Sequence, residues 1–107
     1  MGIFKQECKY DYDTDFMMTS GFSFDGYKIV KYCGIVFVRD HVKDNAGVSD
    51  KQYDLGVGRA LNHIKLKAEE LGTNAIIGLK IEPFASTLIN TDLATSGTAV
   101  LIEKSNE

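Results

Sequence analysis

Long apolar runs are missing from this sequence. None approaches the roughly 20 residues that a membrane-spanning helix needs. The opening residues, MGIFKQECKYDYD, hold no hydrophobic signal-peptide core. Both absences point to a cytoplasmic protein. Met1-Gly2 matches the start of a myristoylation signal, but Gln6 stands where that signal wants Ser or Thr. Clusters of one charge sign are missing too. The 12 Lys and Arg and the 15 Asp and Glu are interspersed, for a net charge of −3. Nucleic acid and anionic membrane surfaces call for clustered Lys and Arg, so neither is expected as a partner. Cysteine is scarce. Cys8 and Cys33 lie far apart with no CxxC pairing, which fits reduced thiols in the cytoplasm.

The motifs of common chemistries are also absent or broken. Gly56-Val57-Gly58-Arg59 hints at a dinucleotide loop, but no strand precedes it and Leu61 replaces the third Gly. No Walker loop exists. Asp11, Asp13 and Asp15 alternate as at the start of a calcium loop. Phe16 and Phe22 then stand where that loop needs Gly and Glu, so a solvated arm is the better reading. Cys33, His41 and His63, with Cys8, are the soft or imidazole candidates for a transition metal, and no two share a ligand spacing. One subunit alone is expected to bind metal weakly or not at all. No nucleophile elbow surrounds a Ser or Cys. Ser96-Gly97-Thr98 either lines a polar pocket or packs closely against another backbone. Glu69, Glu70 and Glu82 read as surface charges.

What is present is a helix, a stop and a strand. Tyr53, Val57, Leu61, Ile64, Ala68 and Leu71 follow one another at steps of three and four, the stripe of an amphipathic helix from about Asp50 to Leu71. Ser49, three residues before Gln52, has capping-box spacing. Gly72 suits a left-handed helix stop, and Thr73-Asn74 continue the turn. Ala75 to Ile81 is a strand rich in β-branched residues. Earlier, Tyr27 to Arg39 is the longest strand candidate. It is apolar on both faces, with Ile29, Cys33, Ile35 and Phe37 on one and Val30, Tyr32, Val36 and Val38 on the other. Gly34 inside it suggests a bulge or a close backbone approach. Phe16 to Ser20 is a short strand candidate. Asp40 to Val48 and Phe84 to Asn90 read as loops. Pro83 either ends its strand or places it at a sheet edge. Thr91 to Glu103 closes the sheet. Residues 1–15 form a polar N-terminal arm, and 16–107 a single domain. The fold class is α+β in two layers, one main helix on a small mixed or antiparallel sheet.

Three stretches together resemble the YbjQ-like family: Gly26-Tyr27 with Ile29 to Gly34, Ala68 to Gly78 (AEELGTNAIIG), and Ser96 to Val100 (SGTAV). The similarity runs from about Phe16 to Lys104. It implies a small protein of unassigned function, carrying the label of a heavy-metal-binding domain. It also implies a dodecin-like subunit that forms a homopentameric ring. The first 15 residues lie beyond the family's usual start, and Gly56 and Gly58 replace its helix formers. No ligand set matches, so no catalytic, cofactor or metal residue is carried over.

One helix can cover only one face of the long strand, and a soluble monomer seldom leaves a broad apolar patch wet. A homo-oligomer is therefore expected, with a contact that includes Val36 or Val38. The functional expectation is a non-enzymatic binding module for a metal or small ligand. The alternative is a small enzyme with a site assembled between subunits.

Overall fold

Helix α1 spans Asp50–Glu70 in the computed structural model, which describes residues 16–42, 50–85 and 91–105. The arm with Cys8, Asp11, Asp13 and Asp15, and the capping residue Ser49, lie outside the described residues. The buried stripe of α1 is Gly56, Ala60, Ile64 and Ala68, flanked by half-buried Tyr53 and Val57. Ala60 belongs to it although its small side chain gives little periodic signal. Leu71 does not belong, because the helix has already ended.

The stop is built as its residues suggest. Gly72 takes a φ of 80°, a conformation that costs a β-carbon dearly. Its amide donates to the Glu69 carbonyl at 2.9 Å, and the Thr73 amide reaches back to Ala68 at 3.4 Å, the paired bonds of a Schellman turn. The Thr73 hydroxyl also donates to the Ala68 carbonyl, at 2.8 Å. Asn74 does more than continue the turn. Its side-chain amide donates to the Ile102 carbonyl at 3.0 Å, and its oxygen accepts from the Ile102 amide at 2.8 Å. The helix end is thereby fastened to the last strand.

Four strands form one mixed sheet: β1 (Met17–Met18), β2 (Tyr27–Val42), β3 (Ala75–Ala85) and β4 (Thr91–Lys104), in the order β1-β3-β4-β2. β1 runs parallel to β3, and the other neighbours are antiparallel. β2 and β3 run further than expected. Asp40, His41 and Val42 are strand residues because each finds a partner on β4, and Phe84 and Ala85 do the same. Pro83 is tolerated inside β3 because this part of the strand lies beyond β1, at the sheet edge.

Two register shifts explain which side chains of β2 face where. One falls between Ile29 and Lys31 and the other between Tyr32 and Gly34, bearing out the bulge at Gly34. Each extra residue moves the following side chains to the other face. Two such shifts cancel, so Ile29, Ile35 and Phe37 share a face as expected. Tyr32, lying between the shifts, joins them and leaves the company of Val36 and Val38.

α1 covers the other face. Val36, Val38, Ile76 and Ala99 pack with Ile64 and Ala68, and Val42 and Leu93 pack with Ala60. Val36 and Val38 are therefore core residues of the subunit, which corrects the expectation that they join a contact between copies. Among the described residues, the open face of the sheet is covered only at one end. There Ala75, Ile77, Val100 and Ile102 pack with Met17, Phe24, Tyr27 and Ile29 of the chain itself. Toward the other end Ile35 is 80% exposed and Phe37 56%.

Under the helix, Thr95 is fully buried and its hydroxyl has no hydrogen-bond partner among the described residues. Its neighbours across the sheet are Val38 and Ile81. Thr95→Val keeps the shape and removes an uncompensated polar atom. It is expected to stabilise the fold by about 1 kcal/mol, read as a raised midpoint in thermal unfolding.

Candidate functional site

The end of the sheet where β2 outruns its expected boundary carries the densest polar chemistry. Asp92 sits on β4, between β2 and β3, opposite His41 of β2 and Phe84 of β3. Its side chain is only 9% exposed. Arg39 Nε donates to Asp92 Oδ2 at 2.8 Å. His41 Nδ1 meets Asp92 Oδ1 at 2.9 Å. The guanidinium of Arg39 also lies over the Phe84 ring, 5.1 Å from its centroid, where the ring's electron-rich face attracts a cation. Arg39 and His41 lie two residues apart on one strand, so both project from the open face.

The His41 hydrogen bond, and then that of Arg39, hold the Asp92 carboxyl below its ordinary value. A carboxylate so held contributes stability above its unfolded pKa, about 3.9, and loses the contribution as pH falls through its lowered native value. The stability gap between the wild type and Asp92→Asn should therefore be widest near neutrality and close as the pH falls below about 4. Urea unfolding of both proteins across that range checks it. A gap that widens in acid would contradict the assignment.

A second carboxylate–imidazole pair stands back to back with the first. Asp40, the strand residue between Arg39 and His41, faces α1, and His63 Nδ1 lies 3.1 Å from its Oδ1 and 3.2 Å from its Oδ2. The two histidines singled out in the sequence are thus separated by the sheet. Cys33 is half-buried at the second bulge of β2. Among the described residues no group of three or more His, Cys, Asp or Glu side chains is placed to hold a metal ion. The described residues of one subunit therefore supply no donor set for the heavy metal that the family label implies, and no chemistry is derived through one.

The remaining candidates are structural. Gly97 faces the core, where an added β-carbon would fall 2.5 Å from Ile76 Cγ2. Gly97 therefore packs closely, while Ser96 and Thr98, paired with Phe37 and Ile35, lie on the open face. Glu69 and Glu70 are exposed, and Glu82 lies 3.8 Å from Lys80. Arg39, Asp92 and Phe84 escaped sequence reasoning. The available signal was an acid, Asp92, placed next to an apolar residue near the start of the closing strand.

Fold and site together describe a small α+β protein, with one helix among the described residues and a polar cluster on the open face of its sheet. No family model matches the chain. It is 31% identical over 103 residues to a UPF0145 protein of Carboxydothermus hydrogenoformans, covering 81% of this chain and 95% of that protein. The chain belongs to the UPF0145 family, which is the YbjQ-like family that its motifs resemble. The fold is also similar to the crystal structure of a protein of unknown function in the DUF74 family, from Pediococcus pentosaceus. That match has a TM-score of 0.62 and 21% identity, and covers 84% of this chain and 99% of the other. Among the described residues no helix is long and apolar enough to cross a membrane.

Proposed function

We propose that this UPF0145 protein is a cytoplasmic, non-enzymatic binding module that assembles from identical copies through the open face of its sheet. The observation that carries this reading is the exposure of Ile35 and Phe37, with Tyr32 beside them, on a strand whose other face is core. A reciprocal surface exists on the far side of the molecule. Leu55 and Leu66, three helical turns apart on α1, are both exposed and point away from the sheet. Helix of one copy on sheet of the next is a heterologous contact, and such contacts close into rings when the rotation allows. The ring of five comes from the family resemblance.

Asp92 favours binding over catalysis. Its two side-chain partners hold it ionised, whereas a general acid or base near neutrality needs a pKa close to the working pH. Native mass spectrometry at micromolar concentration reads the copy number, expected to be five. A dimer or hexamer would retain the burial logic and discard the stoichiometry. A monomer would discard both.

A further inference from the structure

The cluster at the end of the open face is costly as a device for stability alone. An exposed ion pair contributes little, and a well-packed apolar residue often does as well as a buried charge with its partners. Yet Asp92, in the central strand, spends both oxygens on Arg39 and His41, whose side chains are 58% and 52% exposed. What this arrangement does provide is orientation. Asp92 fixes the inner edge of each group and leaves the outer edge toward solvent. The terminal nitrogens of Arg39 have no hydrogen-bond partner among the described residues, and Phe84 steadies the guanidinium from one side. His41 is held through Nδ1, so a protonated ring offers its Nε2 proton outward.

We propose that Arg39 and His41, positioned by Asp92, form a binding site for the carboxylate of a small organic acid whose apolar body lies on Phe37. A guanidinium end matches a carboxylate with two parallel hydrogen bonds. Phe37 precedes Arg39 by two residues on β2, so it flanks the anion position on the same face. Ile35 continues the apolar surface beyond it. Among the described residues, the charged and titratable groups around the site are Asp92 on β4, Arg39 and His41 on β2, and Lys80 and Glu82 on β3. Glu82 is set apart from Arg39 by Ala94 in the register and engaged with Lys80. The assignment rests on the binding-module reading, and every residue named belongs to one chain; Phe37 is shared with the face that copies would cover, so the acid and a neighbouring copy compete for it.

The test is an NMR-monitored titration with benzoate at about pH 6, run beside acetate. Benzoate should give saturable shifts centred on Arg39, His41 and Phe37, with at least about fivefold tighter binding than acetate, since the ring adds apolar burial. Arg39→Gln should weaken benzoate about tenfold or more, the loss of a charge-assisted pair. Lys28→Gln, at a distant exposed lysine, should leave it unchanged. Equal binding by wild type and Arg39→Gln, the absence of saturable shifts, or equal affinities for acetate and benzoate would each overturn the assignment. Light scattering on the same samples reports assembly separately, so failure of one reading is not mistaken for failure of the other.

Discussion

Val36→Asp is expected to leave no folded protein, while Phe37→Asp, one residue further along, folds normally. Val36 lies 5% exposed between α1 and the sheet, against Ile64, Ala68 and Ala99. A carboxylate there has no cationic neighbour in that apolar cluster, and an uncompensated buried charge costs about 4 kcal/mol or more. That is comparable with the whole stability of a small domain. Phe37 projects from the opposite face, where a polar substitution changes subunit stability by about 0.5 kcal/mol or less. Circular dichroism and thermal melting of the two variants separate the cases. A well-folded Val36→Asp protein would mean that the strand register is off by one residue.

Gly97→Ala is expected to destabilise by about 3 kcal/mol, at the upper end of the usual cost of overpacking. The added carbon would stand 2.5 Å from Ile76 Cγ2 and 3.2 Å from the Ile77 carbonyl. Neither can retreat. Ile76 is fully buried and stiff about χ1, and the carbonyl belongs to the sheet backbone. Gly58→Ala is the natural control. Gly58 is an exposed helix residue with nothing near its missing β-carbon, so alanine there should stabilise by about 1 kcal/mol. Denaturant unfolding should show the two glycines moving stability in opposite directions.

Much of this fold was legible because the informative residues act locally. Gly72 requires a positive φ wherever it falls, and the spacing of Ile64 and Ala68 defines a helix face without reference to a partner. The helix Asp50–Glu70 and the strands beginning at Tyr27, Ala75 and Thr91 follow from such signals. Faces were harder to assign. The alternation along β2 marks two apolar sides, but which side receives the helix depends on bulge positions and on pairing with β4. That is why Val36 and Val38 read as contact residues and proved to be core. The polar cluster was less legible still. Arg39, His41, Phe84 and Asp92 come from three strands, and only the pairing of β2 and β3 with β4 brings them together. A sequence with His41 placed in a loop gives no reason to join it to Asp92, 51 residues away.

The central claim is that copies of this chain cover one another's open sheet faces. Light scattering of the wild type and Phe37→Asp at matched micromolar concentrations tests it most directly. The account predicts a wild-type assembly, five copies by the family resemblance, and a smaller, folded species for Phe37→Asp. A wild-type monomer, or an intact assembly carrying aspartate at position 37, would contradict it.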